Sequence, residues 1–450
     1  MRSPLLATAL ALACLLAAAP AAPAEVGFLR QFGGEAGKKP GQFALPDGIG
    51  SDNAGNIWVA DSQNNRIQRF TPDGRVLPFP AFGKGPWRQG PGQFKLPYDV
   101  DADGLGNLFV ADTQNHRIQK FTPQGRFVRM WGRNGGDGTP GVGPGEMDQP
   151  RGLAVDPAGN VWVADHENAR VLKFDNDGRL LLTLGANGGD GSYGEGPGEF
   201  NSPRGICTDA KGFVYVADDV NHRIVKLDGD TGVFVAVFGK PGGPVSGFGT
   251  GPGEFQLPYG CAVDDKRGHL WVADTKNNRA VQLTTDGIFI RNWGANGGDG
   301  TPGEGPAEFD EPYNAGNDCA GNVYVSDEHS KRIEVFGDPA DPRPVCPPGL
   351  TISATGASLG QRLVSVEADC DRICRVVARV SVRDTSGRLV KLASRARVIQ
   401  DAGGAKALRV RIPPSVARRL RRGTRVSLRV TASGAPGADR TRPRTLVLGS

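Results

Sequence analysis

The chain has 450 residues, 66 of them glycine and 34 proline, and a formal net charge of +5 at pH 7. At roughly 100–200 residues per domain this length suggests two or three domains unless an internal repeat unifies part of it. Beyond the first two dozen residues no segment is apolar enough to cross a bilayer, which excludes a chain that threads the membrane repeatedly.

Residues 1–24 carry Arg2, an apolar stretch from Leu5 to Ala19 and a small-residue run ending at Ala24. This is the layout of a secretory signal peptide cut after Ala24. The apolar run is short for an uncleaved anchor, and Ala11 stands where a lipidated signal through Cys14 would show Leu. The mature chain is therefore expected to be secreted or extracellular, free or held at the cell surface.

From residue 25 to 337 one pattern recurs six times: Gly-Gln-Phe-x-x-Pro, an apolar stretch ending in Asp, Gly-Asn, an apolar stretch ending in Ala-Asp, Asn-x-Arg, and a short strand closed by Gly. The Asp after the second apolar stretch recurs as Asp61, Asp112, Asp165, Asp218, Asp274 and Asp327, at gaps of 51, 53, 53, 56 and 53 residues. Each unit holds four short runs of β-branched, aromatic and leucine residues divided by turn signals, and four strands per repeat make a propeller blade. The second run, such as Val161-Trp-Val-Ala164, is apolar throughout, which suits a strand covered on both faces. An open solenoid is the competing architecture. The ends favour a ring: Val26–Gly33 matches only the fourth strand of a unit, and the copy ending at Phe336 supplies only the first three. Together they complete a sixth blade and leave no open sheet edge.

These motifs resemble the NHL repeat family, whose signature is Pro-x-Gly-Ile/Leu-Ala-x-Asp, Gly-Asn, Val-Ala-Asp and Asn-His/Asn-Arg-Ile. The last element stands as Asn64-Asn-Arg66, Asn115-His-Arg117, Asn168-Ala-Arg170, Asn221-His-Arg223 and Asn277-Asn-Arg279, with Ser330-Lys-Arg332 departing from it. The resemblance spans residues 26–336 and implies a six-bladed NHL β-propeller.

Residues needed identically in every blade serve what every blade shares, so the repeated Asp and Arg are read as scaffold. His116 and His222 occupy a slot that other blades fill with Asn, Ala or Lys, and they are not read as catalytic. Ligand-binding capacity is sought where the copies differ. Just after the motif proline they carry Asp47, Tyr98, Arg151, Arg204, Tyr259 and Tyr313. The first strand of a blade lines the axis, so these six should ring one mouth of the central channel, either as a recognition surface able to stack and to pair with anions or as an ordinary polar rim.

The loops Asn134-Gly-Gly-Asp-Gly138, Asn187-Gly-Gly-Asp-Gly191 and Asn296-Gly-Gly-Asp-Gly300 make Asp137, Asp190 and Asp299 the calcium candidates. Each loop offers one Asp where a calcium site gathers several carboxylates and six or more oxygens, so turns are the preferred reading and no cofactor is expected. Related rings include zinc lyases and calcium lactonases, but none of the five histidines falls on the axial positions and only Asp47 supplies an acid there. No Gly-x-Ser-x-Gly motif occurs in the ring. A binding protein for a protein, peptide or glycan is preferred, with a hydrolase or lyase at the channel mouth as the alternative. The zinc modules of ligase relatives are lacking, and export argues against nucleic acid as a partner.

A proline-rich linker, 338–348, leads to residues 349–450. From 346 onward there are 21 Lys and Arg against 6 Asp and Glu, a net of +15, which leaves −10 for residues 1–345. Strand-like alternation at Leu363–Ala368, Val376–Val382, Leu408–Ile412 and Val426–Val430 suggests a small Ig-like β-sandwich. Its charge suits either solubility or attachment to anionic cell-envelope polymers. After export six cysteines remain, and in an oxidising compartment they read as disulfide candidates. Cys370 and Cys374 are close in sequence, Cys207 and Cys261 occupy matching positions of neighbouring repeats, and Cys319 with Cys346 would tie the last repeat to the linker.

Overall fold

The structure, a computed structural model, describes residues 26–52, 55–78, 90–239 and 248–340 in full and the backbone of seven strands between Leu350 and Val447. Residues 1–25, with the expected signal peptide, and most of the linker lie outside the described residues. Among the described residues no helix is long and apolar enough to cross a membrane.

Residues 26–340 form six antiparallel sheets arranged as a β-propeller. Strand β1 (Gly27–Gly33) belongs to the last blade. Blade 1 contains β2 (Pro46–Ser51), β3 (Ile57–Asp61) and β4 (Arg66–Phe70), and blade 2 contains β5 (Pro97–Ala102), β6 (Leu108–Asp112), β7 (Arg117–Phe121) and β8 (Phe127–Gly132). Blades 3 to 5 repeat the four-strand order as β9 (Pro150–Val155) to β12 (Leu180–Gly185), β13 (Pro203–Thr208) to β16 (Phe234–Gly239), and β17 (Pro258–Asp264) to β20 (Phe289–Trp293). Blade 6 joins β21 (Pro312–Asn317), β22 (Val323–Asp327) and β23 (Arg332–Gly337) to β1, with Gly27 opposite Gly337 and Gly33 opposite Arg332. The ring therefore closes between the first and last described strands of the propeller, as the lone N-terminal strand implies.

The second strand of each blade is buried along its apolar length, apart from half-buried Phe213 at its start in blade 4, with Trp58, Trp162 and Trp271 sealed between blades. Past β4, Phe70 bridges Val76 and the Leu77 N–H donates to Arg69 O at 2.8 Å, and residues 79–89, which follow, lie outside the described residues.

The repeated polar residues hold the blades and their loops together. In all six blades the motif Asp pairs with the motif Arg, from Asp61–Arg66 at 2.8 Å to Asp327–Arg332 at 3.1 Å. The other Asp oxygen accepts a backbone N–H from the segment entering the blade, as from Lys95 to Asp112 at 2.8 Å. The Arg fork donates to carbonyls of that same segment: Arg117 reaches Gly90 O at 3.0 Å and Gln93 O at 3.1 Å. The Gln or Glu before the motif aromatic closes the turn, since Glu199 accepts the N–H of Gly196 at 2.9 Å and Gln93 that of Gly90 at 3.1 Å. Successive blades are clasped by the residue after the motif Asn, which lies in the left-handed region: Asn65 accepts the N–H of Leu96 at 2.8 Å, His116 that of Gln149 at 3.1 Å and His222 that of Leu257 at 3.0 Å. This gives the two histidines a structural task.

The C-terminal strands are β24 (Leu350–Ser358), β25 (Leu363–Cys370), β26 (Cys374–Arg383), β27 (Leu389–Ile399), β28 (Lys406–Arg411), β29 (Arg425–Ser433) and β30 (Asp439–Val447). They pair into two antiparallel sheets, β24-β25-β28 and β27-β26-β29-β30.

Candidate functional site at the propeller axis

In each blade the ladder between the first two strands is interrupted immediately after the motif proline. Proline pairs with motif Asp, as Pro97 with Asp112 and Pro203 with Asp218, and regular pairing resumes two or three residues later. Such irregularities bend the strand and re-aim a side chain. The re-aimed side chains are Asp47, Tyr98, Arg151, Arg204, Tyr259 and Tyr313, and they gather at one mouth of the axis.

They contact one another. The Tyr259 and Tyr313 rings meet edge-on at 5.2 Å, and Tyr98 meets Tyr313 at 6.0 Å. Arg204 lies 3.5 Å above the Tyr259 ring, pairs with Asp219 at 2.5 Å and donates to the Tyr313 hydroxyl at 3.3 Å. Arg151 sits 5.2 Å above Tyr98. The stacking capacity expected for a ligand is thus partly taken up by the protein's own arginines.

Asp47 is 1% exposed, and neither carboxylate oxygen has a hydrogen bond of ordinary geometry. Burial pushes its pKa well above the ordinary carboxylate range; the nearby Ser62 hydroxyl and Arg151 oppose this, while Glu328 and Asp61 add to it. Burial likewise raises the phenols of Tyr98, Tyr259 and Tyr313. The Nε of Arg151 and Oδ1 of Asp219 are also buried without a partner.

A second ring of residues surrounds these six: the position directly after the motif Asp, filled by Ser62, Thr113, His166, Asp219, Thr275 and Glu328. Thr113 and Thr275 donate to the motif-proline carbonyls Pro150 O at 2.7 Å and Pro312 O at 2.8 Å. Burial and then the charges of Arg151 and Arg204 push His166 down to about 3, so it is neutral, with Nδ1 3.2 Å from Pro203 O. This ring was not singled out from the sequence, although its signal is the same as that of the first: variation beside an invariant residue.

Below the mouth the first strands close on one another. A Cβ on Gly152 would collide with Arg204 O, and one on Gly205 would lie 2.5 Å from Tyr259 O, so glycine is required there. The remaining axial cavity, about 70 Å³, is lined by Asp99, Asp101, Asn314 and the Cys207–Cys261 pair among others. It has room for a few waters and not for a solute. Asp99 and Asp101 use their carboxylates to bind the Leu153 and Val155 amides of the next blade at 2.9 and 2.8 Å.

Cys207 and Cys261 form a disulfide between the first strands of blades 4 and 5. Cys319 is also disulfide-bonded; its expected partner Cys346 lies outside the described residues, as do the side chains of Cys370 and Cys374. Asp137, Asp190 and Asp299 stay in three separate loops. Asp137 accepts from Thr139 and Asn134, which lowers its pKa to about 2, and Asp190 and Asp299 make matching turns with Ser192 and Thr301. Among the described residues no three His, Cys, Asp or Glu side chains cluster as metal ligands.

Residues 43–70, 94–121, 147–174 and 200–227 each match the NHL repeat. Four blades of the six-bladed propeller are thus NHL repeats. Mouse peptidyl-glycine alpha-amidating monooxygenase is 34% identical over 140 residues, 30% of this chain and 14% of that protein. Mouse NHL repeat-containing protein 3 is 34% identical over 126 residues, 27% of this chain and 34% of that protein. The chain therefore spans about a third or less of the length of these relatives. Among solved structures, a streptogramin B lyase aligns with a TM-score of 0.44 at 16% identity, covering 70% of this chain and 97% of that one. An auxiliary nutrient binding protein from Bacteroides thetaiotaomicron aligns with a TM-score of 0.46 at 14% identity, covering 66% and 69%. The four matched NHL segments begin at Phe43, Phe94, Met147 and Phe200 and run into the third strand of each blade, so they include the Asp–Arg staples. The axial residue is the variable position within that matched frame.

Proposed function

We propose that this NHL ring is a secreted or surface-held binding protein whose axial mouth captures a protein, peptide or glycan ligand. The observation that carries this reading is the contrast between one residue set repeated in every blade and bonded within the scaffold, and another that differs from blade to blade and converges on one mouth. The C-terminal strands, read as a small Ig-like sandwich, dock the molecule to anionic envelope polymers through their net charge of +15 from residue 346 onward. Replacing Tyr98, Tyr259 and Tyr313 together with Ala should abolish capture from cell-envelope extract while the chain still melts cooperatively. Undiminished capture would remove the mouth from consideration. Envelope attachment should weaken steeply between about 50 and about 300 mM salt, as the Debye length falls from about 14 to about 6 Å, and should be lost when residues 349–450 are deleted.

An enzymatic reading keeps one foothold, the buried acid Asp47 with its raised pKa. A hydrolase or lyase using it as an acid would lose turnover in Asp47→Asn with binding intact, whereas a binding protein has no turnover to lose.

A further inference from the structure

Four buried polar atoms at the mouth have no hydrogen bond of ordinary geometry among the described residues: both oxygens of Asp47, Nε of Arg151 and Oδ1 of Asp219. Buried polar groups in folded proteins are almost always hydrogen-bonded, so such a cluster points to something that completes it. The open valences are of both kinds, one donor on Arg151 and acceptors on Asp47 and Asp219. They come from blades 1, 3 and 4, so their complement must present donors and acceptors at several points across the axis.

Charge narrows the class. Arg204 is matched by Asp219 at 2.5 Å, and Arg151 acts on Asp47 as a favourable countercharge. A charged ligand would bury a further charge without a free partner, at high desolvation cost. A neutral polyol would not, since each hydroxyl both donates and accepts. The edges and faces left on Tyr98, Tyr259 and Tyr313 supply apolar walls for the carbon side of a sugar ring.

We propose that the mouth binds a neutral sugar unit of a glycan, whose hydroxyls complete the open hydrogen bonds of Asp47, Arg151 and Asp219. This rests on the mouth being the ligand site. Asp47 is 1% exposed, so side chains at the mouth must shift for a sugar hydroxyl to reach it.

The full exported chain is titrated with cellohexaose, maltohexaose and chitohexaose, and with a galacturonate hexamer as the anionic comparator, by calorimetry and saturation-transfer NMR. At least one neutral hexamer is expected to bind, with saturation passing from aromatic protons to the sugar. Arg151→Met should weaken it by about tenfold, the effect of losing one well-formed hydrogen bond. Ile288→Ser, at an exposed position just before β20, should leave it unchanged. A conservative Tyr98→Phe, which keeps the ring, separates loss of the site from loss of the fold by retaining binding. Tight binding of the galacturonate hexamer alone, or equal sugar affinity in Arg151→Met, overturns the proposal. If no hexamer binds but a heptapeptide library is captured and released by the triple tyrosine variant, the sugar assignment fails and the mouth survives as a site. If the triple variant retains every ligand, both fail.

Discussion

Glu334 occupies the slot that Gln68 and Gln119 hold in the first two blades, seven residues after the motif Asp. Gln119 donates to Gln93 O at 2.7 Å and to Asp112 at 2.9 Å while accepting the Gly92 N–H at 2.9 Å. A carboxylate cannot donate, and Glu334 is fully buried with neither oxygen in a hydrogen bond of ordinary geometry. It faces Arg332 at 3.0 Å, Asp327 and Glu308, with Val325 and Gln31 opposite it on the neighbouring strands. Burial pushes its pKa up to about 8, with Arg332 opposing and Asp327 adding. As pH rises from about 4.5 the unfolded chain gives up a proton that the folded chain keeps, so stability falls until the pH reaches about 8. Glu334→Gln should therefore be more stable than the parent at pH 8, by on the order of a few kcal/mol, and nearly equal at pH 4.5. Urea melts of both proteins at pH 5, 6.5 and 8 check this; a difference that does not grow with pH would count against it. At the same scale, Arg117 is wholly buried and Arg66 is 19% exposed. Removing Arg117 strands a buried Asp112, so Arg117→Met should cost about 3–5 kcal/mol. Arg66→Met should cost less, and thermal melts of the two will rank them. The staple itself was legible in the sequence because it repeats. The bonds of the ring Ser62 to Glu328 were not, because each of its members solves the same position with different chemistry.

Strand β1 decides whether the propeller is a ring. Its residues pair with β23, and Phe28 packs edge-on against Phe336 at 6.0 Å while Phe32 lies 4.9 Å from Phe70 of blade 1. Without residues 26–33, β23 becomes an open edge, which invites association between chains. The shortened protein should elute as oligomers in size-exclusion chromatography and melt at lower temperature, and a peptide of sequence VGFLRQFG added in excess should restore part of the monomer. A monomer of unchanged stability would show that closure contributes little. That the first and last strands meet was readable from the unequal repeat ends.

Across the whole molecule, the Cys207–Cys261 disulfide cross-links the first strands of neighbouring blades 4 and 5, away from the closure made by β1. The bridge closes a loop with a sequence separation of 54, for which the chain-entropy view gives roughly 4 kcal/mol. The double Cys207→Ser, Cys261→Ser variant should melt lower than the parent under oxidising conditions, and adding reductant should erase most of the difference. The sequence by itself determined the blade count, the closure and the scaffold role of the motif residues, because period, turn chemistry and repetition are local properties of the chain. It also located the six axial positions. Only the tertiary structure decided what those six do together: bulges aim them inward, glycines bring the first strands into contact below them, and arginines settle on the tyrosines, leaving Asp47 buried. Those outcomes depend on residues more than 50 positions apart meeting at one axis, which no single repeat encodes.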